Sequence, residues 1–114
     1  MISPVMIFAT ETDWAWLAGA IDGEGSLGFY THYSDYQIAL RVFNTNREFI
    51  EKASILMDSN ITPTSSIIST KPCWCAGVYQ YDKILFILEK VLPYLTAKKW
   101  IAELIITYLK VHKG

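Results

Sequence analysis

Apolar positions change their spacing several times along this chain, and each change marks an element. Between Asp13 and Asp22 the spacing is helical: Trp14, Leu17 and Ile21 form a bulky stripe suited to a core. Ala15, Ala18, Gly19 and Asp22 form a second stripe of small residues, which lets another helix come close. Thr12 suits the N-cap of this helix and Gly23 a left-handed stop. The period then falls to two. In "SLGFYTHY" Leu27, Phe29, Thr31 and Tyr33 alternate with Ser26, Gly28, Tyr30 and His32, and in "YQIALRV" Ile38, Leu40 and Val42 alternate with Gln37, Ala39 and Arg41. With Ser34-Asp35 as the turn, this predicts an antiparallel hairpin with one apolar and one polar face.

"TNRE", Thr45 to Glu48, has the spacing of a capping box and opens a helix carrying Phe49, Ile50, Ala53 and Met57 inward. A second hairpin is predicted from "ITPTSSIIST" and "CWCAGVYQY", joined at Lys71-Pro72, with Pro63 obscuring the register of its first strand. In its second strand Trp74, Ala76 and Val78 oppose Cys75, Gly77 and Tyr79. Asp82 suits the cap of a helix carrying Ile84, Leu85, Ile87, Leu88, Val91 and Leu92. Thr96 suits the cap of a last helix with Ile101, Leu104, Ile105, Tyr108 and Leu109 facing in. The order α-β-β-α-β-β-α-α predicts an α+β fold, an antiparallel four-stranded sheet with helices on one face. Its other face carries Tyr30, His32, Gln37, Arg41 and Tyr79, which suits either a binding surface or a solvated one.

Composition narrows this picture. The 114 residues fit one domain, 1–114, and 52% hydrophobic with 18% charged residues excludes disorder. No secretory leader or membrane-length apolar run is recognisable, so a cytoplasmic or organellar, non-secreted protein is expected. Cys73 and Cys75 are expected to be reduced: two ligands do not complete a zinc site. The net charge of −1 and pI near 6.1 argue against a generally basic nucleic-acid binder. Any such role must gather its cations, Arg41, Arg47, Lys71, Lys98 and Lys99, on one side, away from Glu51, Asp58 and Glu89.

Two acids stand out against this background. Asp22 and Glu24 lie at the C-terminal end of the first helix, where the helix dipole is already negative. An acid is disfavoured there and a cation favoured.

The segment "LAGAIDGEG", Leu17 to Gly25, resembles the LAGLIDADG motif of homing endonucleases, with Ala20, Gly23 and Glu24 as the substitutions. "NTNREFIEK" after the first hairpin, "LPYLTAKKWIAELI" near the end and the element order extend the resemblance over nearly the whole chain. It implies a site-specific double-strand DNA endonuclease, homodimeric because the chain carries one motif. Ala15, Ala18, Gly19 and Asp22 would then line the dimer interface. Glu24 would bind a divalent metal, Mg2+ or Mn2+, with help from the Gly23 carbonyl. Asn44 would position water, and Lys98 would complete the catalytic set. The sheet would lie along the major groove of a long, near-palindromic target. DNA would meet Ser26, Gly28, Tyr30, His32, Gln37, Ala39, Arg41, Cys75, Gly77 and Tyr79, with Lys99 beside them.

The chemistry of these residue types is compatible with that implication. Phosphodiester hydrolysis needs charge stabilised on the attacking and leaving oxygens, which metals held by carboxylates do. Magnesium prefers oxygen ligands and keeps several waters, so one carboxylate per chain suffices if a dimer brings two together. Arg41 is the best candidate for a guanine contact. Each residue also has a plainer reading: Asp22 as structural support, Asn44 as a turn residue, Lys98 as a solvated cation. The alternative function is a non-cleaving nucleic-acid-binding module of the same fold, an intron-splicing maturase or a retired DNA-binding protein. The chain ends soon after the helix holding "KKWIAELIITYLKVHKG", which is expected to mark a minimal version with few backbone contacts and a shallow salt dependence.

Overall fold

A computed structural model describes residues 2–33, 35–64 and 72–112, with His32 described through its backbone alone. The elements are α1 (Pro4–Phe8), α2 (Glu11–Glu24), β1 (Gly25–His32), β2 (Asp35–Asn44) and α3 (Arg47–Met57). They continue through β3 (Ile61–Thr64), β4 (Cys73–Val78), α4 (Tyr81–Val91), a 3-10 turn (Leu92–Tyr94) and α5 (Lys99–Val111). The turns expected at Ser34 and at Lys71 involve residues outside the described ones. Among the described residues, no helix is long and apolar enough to cross a membrane.

The sheet is antiparallel with strand order β1-β2-β4-β3. Leu27 pairs with Leu40, and Leu40 with Val78, so these apolar side chains share one face. Against that face lie Leu17 and Ile21 of α2, Ile50 and Met57 of α3, Ile87 and Leu88 of α4 and Ile105 of α5, all fully buried. Pro63 falls on β3, an edge strand, where a residue without an N–H costs least.

Several ends differ from expectation. The helix α1 was not anticipated; Ser3 caps it, accepting from the Met6 N–H, and Pro4 occupies the first turn. The α2 cap is Thr10 rather than Thr12: its hydroxyl accepts from the Asp13 N–H while Asp13 accepts from the Thr10 N–H, a full capping box. Gly23 does not stop the helix in a left-handed turn. The helix runs to Glu24, and Gly25 takes an extended φ of −104°. A Cβ at position 25 would lie 2.6 Å from the Ile21 carbonyl oxygen, so glycine is needed for close approach rather than for positive φ.

The α3 cap is Asn46, one residue beyond Thr45, and it accepts from the Phe49 N–H at 3.0 Å. Asp82 lies in the first turn of α4, whose cap position is Gln80. Thr96 does not cap α5, which starts at Lys99. On α5 the inner face is Ala102, Ile105, Ile106 and Leu109, which rotates Leu104 outward to 53% exposure and Tyr108 to 37%. Tyr108 instead packs edge-on against Phe29 at 5.3 Å between ring centroids.

Candidate nucleic-acid interface

Register places the remaining side chains of the sheet on its open face. Ser26 pairs with Arg41 and Arg41 with Gly77; Gly28 pairs with Ala39, and Tyr30 with Gln37. Cys75 pairs with Phe43 and with Thr62. Nine of the ten positions expected on this face thus share one side by parity, Tyr79 continuing β4 and lying 44% exposed. The side chain of His32 lies outside the described residues. Phe43 and Thr62 belong to the same face and went unread. Phe43 follows Arg41 by two residues, so continuing the alternation past Val42 finds it, whereas Thr62 carries no such signal.

Arg41 dominates this face. Its guanidinium carbon lies 4.4 Å above the Tyr30 ring centroid and 6.0 Å from that of Phe43. The Tyr30 hydroxyl shares a short hydrogen bond with Ser26 Oγ. Burial pushes the Tyr30 hydroxyl up, but hydrogen bonding to Ser26 and Arg41 outweighs it and leaves the pKa below the ordinary tyrosine value. Bonding to Tyr30 raises the Arg41 pKa against an opposing burial effect. Burial likewise raises the Cys75 thiol, so it stays protonated near neutrality.

The end of α2 meets the start of α5 through Asp22. The backbone N–H and hydroxyl of Thr96 donate to Asp22 Oδ2 at 2.7 and 2.9 Å, and the Lys98 N–H donates to Oδ1 at 2.9 Å. Lys98 Nζ returns to the Asp22 carbonyl at 3.0 Å. Lysine therefore satisfies one of the helix-end carbonyls left without an intrahelical donor. Burial would raise the Asp22 pKa, but bonds from Thr96 and Lys98 prevail and lower it. Both carboxylate oxygens of Asp22 are thereby engaged inside the chain, where it supports the fold.

Glu24, two residues on, is exposed, as is Gly23. Gly25 pairs with Val42, so Asn44, two residues beyond Val42, ends β2 beside the end of α2. Its Oδ1 accepts from the Asn46 N–H at 2.8 Å, the turn role, which leaves its amide N–H groups for another partner. Glu24, Asn44 and Lys98 thus converge on one end of the sheet, with Lys99 exposed next to Lys98. Among the described residues, no three His, Cys, Asp or Glu side chains gather to hold a metal. An exposed carboxylate at an oxygen-rich helix end suits a hard cation, but one chain offers half a site.

On α2, Ala15 and Gly19 are exposed and continue the surface stripe to Thr12 and Gly23, and a Cβ at Gly19 or Gly23 would meet nothing within 4 Å. Ala18 is fully buried in the chain's own core and is not on that stripe. It stands four residues after Trp14 and three before Ile21, which places it on the core side. Of the cations, Arg47 bonds Glu51 at 3.2 Å and covers the Trp74 ring, away from the open face, while Lys71 is outside the described residues. Glu51, Asp58 and Glu89 each pair with a lysine or arginine at the surface, and so offset charges rather than add free acids.

No protein-family model matches the sequence, and no curated protein matches it. Solved structures do. The homing endonuclease I-CvuI, in complex with its target in the presence of calcium, superposes with a TM-score of 0.71 at 21% identity over 88% of this chain and 67% of that one. The archaeal intron-encoded homing endonuclease I-Vdi141I, complexed with DNA, gives a TM-score of 0.72 at 15% identity over 91% and 71%. The LAGLIDADG meganuclease I-AabMI, bound to uncleaved DNA, gives 0.65 at 20% identity over 89% of this chain and 37% of that one. At these identities the likeness is one of architecture, and it agrees with the resemblance read from Leu17 to Gly25. The chain has the fold of the LAGLIDADG homing endonucleases.

Proposed function

We propose that two copies of this chain form a homodimer that cuts both strands of DNA at a long, near-palindromic site, using magnesium or manganese. The observation that carries this reading is the convergence at the end of α2. An exposed carboxylate, Glu24, stands two residues from the backbone oxygen that fixes Lys98, and Asn44 ends the neighbouring strand. The stripe Thr12, Ala15, Gly19 and Gly23 supports helix-to-helix pairing, which would bring two Glu24 side chains together.

In this reading Glu24 and the Gly23 carbonyl would hold the metal, which would supply stabilisation of negative charge on the reacting phosphate oxygens. The Asn44 amide, anchored through its oxygen, orients a water. Lys98, fixed by Asp22, keeps positive charge at the phosphate as the leaving oxygen departs. The open face would enter the major groove, with Arg41 reading guanine. The protein would act wherever its target lies, in the cytoplasm or an organelle.

The test is cleavage-site selection from a randomised DNA library with magnesium. A single related set of sites should emerge, and Glu24→Gln should slow cleavage at them by about 100-fold or more, as loss of metal charge stabilisation requires. Equal rates for Glu24→Gln and wild type would refute the role of Glu24. Tight binding to one duplex with no cleavage in magnesium or manganese would reduce the chain to a non-cleaving binding module.

A further inference from the structure

We propose that Tyr30 is the positioning residue that sets base preference at the Arg41 position of each half-site. This rests on the reading of the open face as a DNA surface and names the device by which that surface discriminates. Arg41 and Tyr30 lie on adjacent strands, separated along the face by the Gly28–Ala39 pair. To bond Ser26, the Tyr30 side chain must run along β1 past Gly28, a path that its missing side chain leaves open. The ring is then anchored at its hydroxyl and lies under the Arg41 guanidinium at 4.4 Å.

The other sides of Arg41 are equally restricted. At Gly77, its partner on β4, a Cβ would fall 3.2 Å from Arg41 Cγ and 2.9 Å from Tyr79 Oη. Glycine there lets both side chains settle onto the strand. Among the described residues Arg41 Nε is buried without a hydrogen-bond partner, so it contributes no alternative tether that would compete with the contact to the Tyr30 ring. A free arginine samples many rotamers and must be ordered at the moment of binding. Here the Tyr30 ring already limits where the guanidinium can sit. Fewer orientations remain to be lost on binding, which favours the two parallel hydrogen bonds to guanine O6 and N7 that form only when the fork is coplanar with the base. A phosphate contact positions the protein and carries no base preference, so the two roles of an arginine separate in a selection.

The experiment is a binding selection from randomised duplexes with calcium, comparing the wild type with Arg41→Ala, Tyr30→Phe and Tyr30→Leu, and scoring preference position by position. The wild type should favour guanine at one position per half-site by about tenfold or more, as a bidentate pair does. Arg41→Ala should abolish that preference and leave the other positions unchanged. Tyr30→Leu, which removes both ring and hydroxyl, should reduce the same preference about fivefold or more, also leaving the rest. Tyr30→Phe should fall between, retaining the ring and losing the anchor. Because Tyr30 lies on the open face, each variant should keep the wild-type melting midpoint, which separates positioning from stability. If Tyr30→Leu keeps the guanine preference that Arg41→Ala loses, the role of Tyr30 is overturned while the DNA reading stands. If Arg41→Ala weakens all sequences equally, Arg41 binds phosphate and the proposal is likewise overturned. A wild type that selects no duplex overturns the DNA reading and this inference together.

Discussion

Replacing Asp22 with alanine tests whether the end of α2 truly organises the start of α5. The carboxylate accepts from the Thr96 N–H, the Thr96 hydroxyl and the Lys98 N–H. Alanine removes all three acceptor contacts. Water reaches Thr96, which is exposed, so its groups are partly compensated, whereas the Lys98 N–H sits in a half-buried place. Loss of a single side-chain cap costs about 0.5–2 kcal/mol, and a carboxylate serving two backbone donors belongs near the upper end, about 2 kcal/mol. For a domain of this size that is roughly 8 °C in melting temperature. Asp22→Asn keeps one acceptor oxygen and should lose about half as much, roughly 1 kcal/mol.

The pH dependence fixes the sign. The folded pKa of Asp22 is lowered relative to its ordinary value, so the folded state favours the ionised form. The resulting stability is fully present above the ordinary aspartate pKa. It declines as pH falls below that value and is lost once pH passes below the folded value. Urea denaturation of wild type and Asp22→Asn should therefore give curves that differ at pH 7 and converge in strong acid. A melting temperature for Asp22→Ala within about 1 °C of wild type at pH 7, against the roughly 8 °C expected, would refute the argument.

Gly19 separates fold from assembly: a Cβ there meets nothing within 4 Å among the described residues, so Gly19→Ala should stabilise the helix by about 0.8–1 kcal/mol in a denaturation curve. Gly19→Trp should leave a folded protein by circular dichroism but shift the mass seen by light scattering from dimer to monomer. An unchanged dimer would remove α2 from the seam. Gly25→Ala places a methyl group 2.6 Å from the Ile21 carbonyl and should lower stability by about 3 kcal/mol, read as a lower urea midpoint with an unchanged slope.

What was legible in the sequence was periodic. The alternation in Ser26 to Tyr33 and Gln37 to Val42 fixed the two faces of the hairpin because side chains alternate along a strand. The bulky stripe Trp14, Leu17, Ile21 fixed the core side of α2. Ends were less legible for a local reason: Thr10 and Thr12, or Thr45 and Asn46, can each accept a capping bond, and tertiary packing selects between them. Ala18 was misplaced because alanine fits core and seam alike and so carries no mark of its face. The anchor from Asp22 was hidden because its partners lie 74 and 76 residues away. Nothing local in "IDGEG" distinguishes a carboxylate that holds a distant loop from one that holds a metal. The tilt of Tyr30 onto Ser26 depends on gaps at Gly28 and Gly77 on neighbouring strands, visible only once the register is known.

The junction at Gly25 has a geometric consequence for any target. Helix and strand meet there without a linker, the last helical residue being Glu24 and the first strand residue Gly25. If two copies pair along α2, each reading sheet is joined rigidly to the common axis, and neither can slide or swivel to follow a displaced half-site. One extra base pair between half-sites turns one of them by about a tenth of a helical turn relative to the other. A protein with hinged arms would absorb that change of phase. This elbow would not, so the spacing between half-sites becomes as much a part of the recognised sequence as the bases themselves.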